Sequence, residues 1–213
     1  MILPPLHISR IRRGMCVILT ILLLCISCVA ATPEYWDLQG SRHILIIHSY
    51  GPDMDWVEEV TEGLVQVFPE DDPGTVIYTE YMDGKIISDP LHYENLAAVY
   101  RHKYASISLD LIFVSDDDAY SFMYQYGEEL FPDVPVVFFG VSGYAPEHRE
   151  YMPNLTGVVE KTHVGPTVDL IKTLQPGVQE IYVVNDPGTT TGSIFAEELA
   201  EKAREYTGTL TFR

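Results

Sequence analysis

Short apolar runs, each followed at once by a polar, turn-forming cluster, recur four times along this chain. The runs span residues 44–47, 111–114, 136–139 and 181–184, and the clusters that follow them span 48–52, 115–118, 140–143 and 185–188. Near-continuous runs of Val, Ile, Leu and Phe are typical of strands that are buried on both faces of a parallel sheet. Ligands of open α/β sheets bind outside the carboxyl ends of the strands. The pattern therefore predicts a ligand site, built from the four clusters, at one edge of one sheet.

Helical periodicity fills the stretches between these runs. Apolar residues recur every three or four positions over 56–68, 93–104, 119–130, 166–174 and 191–206. An alternating, β-rich stretch at 76–82 adds a strand, and Asp89-Pro90 opens the second helix as its cap and its first-turn residue. Strands that alternate with helices across short connections predict right-handed parallel crossovers. The predicted fold class is α/β, a Rossmann-like doubly wound parallel sheet.

The predicted elements divide the chain into two lobes. Residues 43–143 contain a complete first lobe, and residues 144–164, which are loop-like apart from a short strand at 155–159, form a crossing between lobes. Residues 165–213 supply only part of a second lobe, because two strands and two helices cannot bury both faces of a sheet.

The first 31 residues have the pattern of an export signal, and residues 32–42 are a predicted linker. Three arginines within residues 10–13 precede an apolar stretch at 16–31, which ends in Val29-Ala30-Ala31 as a cleavage site. The stretch is short for a spanning helix, and its retention as an N-terminal membrane anchor stays open. We therefore expect the mature protein to be exported to the periplasm or to the extracellular face of the membrane.

Cysteine placement and charge narrow the classes of function. All three cysteines lie within residues 1–31, which excludes disulfides, cysteine-ligated metal and thiol catalysis from the rest of the chain. Residues 32–213 hold 10 basic and 31 acidic residues, a formal charge of −21. Nucleic acid and anionic lipid are poor partners for such a body, whereas a cationic ligand suits it.

Six segments in a fixed order carry a family resemblance. They are ILIIHSY (44–50), Trp56, EYMD (80–83), DLIFVSDD (110–117), LFPDVPVVF (130–138) and TGVVE (156–160). Together they resemble the type I periplasmic-binding-protein-like family of ABC transporter substrate-binding proteins and extracytoplasmic sensor domains of histidine kinases. The resemblance covers roughly residues 43–206. It implies two Rossmann-like lobes joined by a hinge, which close on a small molecule bound between them.

The strand-end clusters supply the candidate ligand-binding residues. These are His48, Ser49, Tyr50 and Trp56; Ser115, Asp116 and Asp117; Gly140, Val141 and Ser142; and Asn185 and Asp186. In this interpretation Asp116 or Asp117 binds an ammonium group of the ligand. Ser49 and Ser142 bind its other polar groups, and Tyr50 or Trp56 contacts its apolar part. Capping of a helix start explains an aspartate in this position equally well.

No catalytic residue, cofactor or metal ligand is predicted. His92, His102, His148 and His163 lack metal-ligand spacing, and no G-x-S-x-G elbow occurs. A receiver-like phosphoprotein or metal-dependent enzyme requires acids after the first strand and a lysine after a later one, but His48-Ser49 and residues 140–142 stand there instead. The sequence favours a substrate-binding protein that delivers a small organic solute, such as an amino acid, to an ABC permease. The outer domain of a membrane histidine kinase is the alternative.

Overall fold

The structure of the protein, a computed structural model, describes residues 41–69 and 71–213. The predicted export segment and most of the predicted linker lie outside the described residues. Among the helices of the described ranges, none combines the length and the apolar character that crossing a bilayer requires.

Five parallel strands form the main sheet, in the order β2-β1-β3-β4-β5. They are β1 (Arg42–His48), β2 (Thr75–Tyr81), β3 (Leu111–Ser115), β4 (Val136–Val141) and β5 (Leu155–Val159). Strand β2 lies on one side of β1 and β3 lies on the other, so the order of the strands reverses direction between β1 and β3. These two strands pair in parallel, with His48 opposite Ser115 at the end of the pairing. The clusters after β1, β3 and β4 therefore share the carboxyl edge of one sheet, as predicted.

Six helices accompany the strands within the described residues. They are α1 (Asp55–Val67), α2 (Pro90–Lys103), α3 (Asp116–Leu130), α4 (His148–Tyr151), α5 (Val164–Leu174) and α6 (Thr190–Glu205). Alternate residues of β1 point to opposite faces, with Leu45 and Ile47 packing towards α2 and α3, and Ile44 and Ile46 towards the α1 side. The predicted α/β class is confirmed, and so is the Asp89 cap of α2, whose carboxylate accepts the N–H of His92 at 2.8 Å.

The main sheet extends beyond residue 143, where the sequence placed the end of the first lobe. Strand β5, predicted as part of the crossing, pairs with β4 as the fifth strand. Its Leu155 is buried against the core, and Gly157 lies so close to β4 that an added Cβ would stand 2.1 Å from the carbonyl oxygen of Phe138. The short helix α4 forms within a stretch that was predicted as loop.

A second sheet has two parallel strands in the described residues, β6 (Glu180–Ile181) and β7 (Thr211–Phe212). Helices α5 and α6 pack on it around a small core of Val164, Val168 and Leu210. The fourth polar cluster follows β6, so its predicted place on the same sheet edge as the others is wrong. Strand β6 is also shorter than the predicted 180–184, and Val184 is 99 % exposed.

Candidate ligand-binding cleft

The chain passes from β3 into α3 without a connecting residue. Ser115 ends the strand and Asp116 begins the helix, which requires Asp116 to take a φ of +72°. This left-handed conformation is rare outside glycine, although Asp tolerates it better than most residues. The Asp116 Oδ1 atom accepts the N–H of Asp117 at 2.7 Å, while the N-cap residue is Ser115, whose side chain makes no capping hydrogen bond. The turn thus places Asp116, Asp117 and Asp118 in the first turn of α3, where the helix dipole favours negative charge.

Three of the predicted ligand residues lie behind the cleft. The His48 ring is fully buried, with Nδ1 2.9 Å from Ser115 Oγ and Nε2 3.3 Å from Thr61 Oγ1. Burial lowers the pKa of His48 to about 4, so the ring is neutral. Ser49 Oγ donates to the Ser115 carbonyl at 2.7 Å and accepts the N–H of Ala119 at 2.8 Å. The predicted contacts from His48, Ser49 and Ser115 are thus corrected: their polar atoms join β1 to α3 and do not line the cleft.

Tyr50 and Lys85 form one side of the cleft. Tyr50 is half-buried, and Lys85 Nζ lies 4.4 Å from the centroid of its ring. Burial and then the interaction with Asp116 raise the pKa of the Tyr50 hydroxyl. The turn that carries Lys85 is held by Gly84, whose N–H donates to the Ser49 carbonyl at 2.8 Å. An added Cβ on Gly84 would stand 2.8 Å from the Ser49 carbonyl oxygen, so the close approach of the two backbones favours glycine.

Asp117 joins the end of β4 to the start of α6. Asp117 is 4 % exposed, and its carboxylate accepts the N–H of Gly143 at 2.8 Å, the N–H of Ser142 at 3.4 Å and the Thr191 hydroxyl at 3.2 Å. Ser142 Oγ lies 3.3 Å from Thr191 Oγ1. We call this group, Asp117, Ser142, Gly143 and Thr191, the clasp. Asp117 and Ser142 are therefore engaged within the protein, and Asp116 is the better placed of the two predicted acids for an ammonium group.

Trp56 packs on the end of β4. Gly140 has a φ of +66°, and the register between β4 and β5 shifts between Phe138 and Val141. An added Cβ on Gly140 would stand 2.6 Å from Trp56 Cζ2, which shows that the indole lies on the glycine backbone. Val141 is fully buried. The predicted residues Gly140 and Val141 thus shape this strand end and seat Trp56, but they do not line the cleft.

Asn185 and Asp186 build the turn before α6. Asn185 Nδ2 donates to the carbonyl of Gly192 at 2.8 Å, and the Asp186 carbonyl accepts the N–H of Thr189 at 3.3 Å. The Thr189 hydroxyl in turn accepts the N–H of Gly192 at 3.0 Å and caps the helix. The predicted ligand contacts from Asn185 and Asp186 are therefore corrected to a local structural role. It is residues 188–191 that reach the cleft.

The resulting cleft has a volume of about 240 Å³. One wall carries Tyr50, Lys85 and the three aspartates of α3, and residues 188–191 form the other. A larger cavity of about 330 Å³ between α5, α6 and the second sheet is lined mainly by apolar side chains, and it lies away from the strand ends of the main sheet. The smaller cleft is thus the candidate site, because it alone of the two combines the carboxyl edge with convergent polar groups.

The two walls differ in electrostatic character. Burial raises the pKa of both Asp116 and Asp118, while the positive charge of Lys85 acts in the opposite direction on each. Across the cleft, the N–H groups of Thr190 and Thr191 have no acceptor among the described residues, as expected at a helix start. The cleft therefore presents carboxylates on one wall and a helix N-terminus on the other. Within the described ranges, no group of three or more His, Cys, Asp or Glu side chains is arranged to hold a metal ion.

Lys85, Ser88 and Thr189–Thr191 line the cleft but were not among the predicted ligand residues. Asp118 lay in the predicted cluster 115–118 without being singled out. A signal for Lys85 was present, because Asp83-Gly84 follows the predicted strand at 76–82. Once β2 is placed next to β1, the turn after it lies on the same carboxyl edge as His48 and Ser115.

Comparisons with known proteins bear on the fold. No protein-family model matches the sequence, and no curated protein matches it significantly. Among solved structures, a conserved domain protein from Vibrio cholerae O1 biovar El Tor is 19 % identical with a TM-score of 0.56, over 81 % of this chain and 57 % of that one. The ABC domain in complex with L-Trp from Streptococcus pneumoniae is 18 % identical with a TM-score of 0.52, over 81 % of this chain and 56 % of that one. The chain thus spans a little over half the length of these structures, and its fold is periplasmic-binding-protein-like, as the resemblance implied.

Proposed function

We propose that the protein binds a small organic solute that carries an ammonium group, such as an amino acid. The observation that carries the proposal is the cleft at the carboxyl edge, beside the point between β1 and β3 where the chain reverses across the sheet. Ligands of open α/β sheets bind at this position. The complex of a neighbour of the same fold with L-Trp supports an amino-acid-like ligand.

The two walls of the cleft suit a zwitterion. The ligand ammonium pairs with Asp116, whose carboxylate is not part of the clasp. The ligand carboxylate accepts from the N–H groups of Thr190 and Thr191, because a helix N-terminus favours anions. The ring of Tyr50 contacts the apolar part. This role needs no bond to be made or broken, so the protein acts as a binding protein and not as an enzyme.

The proposed biological role is delivery of this solute to an ABC permease outside the cytoplasm. The export pattern of residues 1–31 supports an exported protein, and the formal charge of −21 on residues 32–213 disfavours their contact with anionic lipid.

Calorimetric titration of the purified protein with the twenty amino acids tests the binding function. We expect one or a few of them to bind, and the Asp116→Asn protein to lose about tenfold or more in affinity, because a charge-assisted hydrogen bond is removed. Asp71→Asn is the matched control, since Asp71 is exposed and precedes β2 at the opposite edge of the sheet. Equal affinity in the Asp116→Asn and Asp71→Asn proteins would refute the assignment of Asp116.

Uptake of the radiolabelled ligand by cells separates transport from sensing. Deletion of the gene should abolish uptake at low ligand concentration, and a plasmid copy should restore it. Normal uptake together with a lost transcriptional response to the ligand would overturn the transport role in favour of the sensor.

A further inference from the structure

A lysine side chain already occupies the wall of the cleft that carries the acids. Lys85 lies in the turn after β2, which is fixed by the N–H groups of Ile86 and Ile87 donating to the Asp83 carbonyl at 2.7 and 3.1 Å. Gly84 packs against the Ser49 carbonyl and the Asp118 carboxylate on the other side of the same turn. The backbone position of Lys85 is therefore determined by the fold.

The ammonium group of Lys85 is held by an aromatic face and by nearby negative charge. Its Nζ atom lies 4.4 Å from the centroid of the Tyr50 ring, well inside the range of a cation–π contact. Its charge also acts on the carboxylates of Asp116 and Asp118. Yet none of the ion pairs found among the described residues includes Lys85. The ammonium is thus attracted to this wall without a close carboxylate partner that fixes it there.

We infer that Lys85 is a built-in competitor, whose ammonium covers the Tyr50 ring that the ligand packs on and is displaced when the ligand binds. The inference rests on the proposed function and adds a specificity-determining residue to it. Because Lys85 is exposed, its flexible side chain can leave the cleft for water without a change in the backbone. A tethered cation has a high effective concentration at the cleft. A free ligand therefore displaces Lys85 only if it makes further contacts besides those of its ammonium group.

The alternative role for Lys85 is to bind the ligand carboxylate. The geometry argues against it, because the cation lies on the wall of Tyr50 and the aspartates, whereas the helix N-terminus at Thr190 and Thr191 supplies anion-binding groups on the opposite wall. The two roles predict opposite effects when the lysine charge is removed.

Calorimetric titration of the full chain with L-tryptophan and with tryptamine distinguishes them, since the two compounds differ only in the carboxylate. We expect Lys85→Gln to tighten the binding of both compounds by about two- to fivefold, the change that corresponds to the loss of one cation–π contact at an exposed site. Lys172→Gln is the matched control, because Lys172 Nζ lies 4.6 Å from the Tyr206 ring centroid outside the cleft, and it should bind as the wild type does. Unchanged binding by Lys85→Gln would overturn the inference, and so would weaker binding of L-tryptophan with tryptamine unaffected.

Carboxyl titration of the ligand-free protein by NMR gives a second readout. In Lys85→Gln the carboxyl pKa values of Asp116 and Asp118 should rise, because a nearby positive charge has been removed. If neither protein binds either compound, the proposed function fails for aromatic amines, and the inference that rests on it fails with it. Unchanged carboxyl pKa values in a protein that does bind would overturn the inference separately, because the Lys85 ammonium would then not lie beside the acids.

Discussion

The clasp offers the most direct test of how the candidate site is held together. In Asp117→Asn the side chain keeps its shape but loses its charge and replaces one acceptor oxygen by an amide N–H₂. The amide oxygen can still accept the N–H of Gly143, which is 2.8 Å from the carboxylate in the structure. The amide N–H₂ then faces the N–H of Ser142 and the hydroxyl of Thr191.

The magnitude follows from these contacts. Hydrogen bonds to a charged group contribute about 1.5–3 kcal/mol each, and a buried donor without a partner costs about 1–3 kcal/mol. The contact from Ser142 is long at 3.4 Å and contributes little, while the Thr191 hydroxyl can turn to accept from the new amide. We therefore expect Asp117→Asn to lower the free energy of unfolding by about 2–3 kcal/mol, a large part of the 5–15 kcal/mol typical of a domain.

Urea unfolding followed by circular dichroism measures this change, with Asp71→Asn as the exposed control. A double-mutant cycle with Thr191→Val should show a coupling of about 1 kcal/mol between Asp117 and Thr191, because each substitution removes the same hydrogen bond. If Asp117→Asn lies within 0.5 kcal/mol of the wild type, the clasp does not stabilise the protein and the argument fails.

Three further substitutions test other parts of the structure. The pKa of His48 is near 6.5 in the unfolded chain and about 4 in the folded protein. The contribution of neutral His48 to the free energy of unfolding is therefore fully present above pH 6.5, and about 3 kcal/mol of it is lost as the pH falls to 4. Urea unfolding at pH 7 and pH 4.5 should show a smaller loss in His48→Gln, and equal losses would contradict the assignment. Gly140→Ala should lower the free energy of unfolding by about 1–3 kcal/mol and shift the Trp56 fluorescence, because φ is +66° and the indole blocks the new Cβ. Gly177→Ala is the control, and it should change this free energy by less than about 0.5 kcal/mol because the space around Gly177 is open. Gly63→Ala, also in open space but inside α1, should raise the free energy of unfolding by about 0.5–1 kcal/mol, and no gain in urea unfolding would contradict a regular helix at this position.

Local patterns predicted the elements and one edge of the main sheet. The apolar run at 44–47 becomes the buried β1, and Asp89-Pro90 starts α2 where capping chemistry places it. These signals are local, since burial on both faces and helix capping each depend on a few neighbouring residues. The strand-end position of Asp116 also followed from the pattern.

The roles of individual polar side chains depended on contacts between distant residues. The Ser49 hydroxyl accepts the N–H of Ala119 in α3, which lies 70 positions further along the chain. The residues next to Ser49 in the sequence therefore could not show whether this hydroxyl binds a ligand or caps a helix. Asp117 was a candidate ligand on the same grounds as Asp116, and only the approach of Gly143 and Thr191 distinguishes them. Strand β5 joined the main sheet through pairing with β4, which its five residues do not encode by themselves.

The main sheet is also built from one uninterrupted stretch of chain. Its strands run from Arg42 to Val159, and none of the described residues after 159 contributes a strand to it. A polypeptide that emerges with its N-terminus first can therefore complete this sheet while residues beyond 159 are still being synthesised. Ribosome-bound chains stopped shortly after residue 159 has emerged should already resist protease across β1 to β5, well before the second sheet exists.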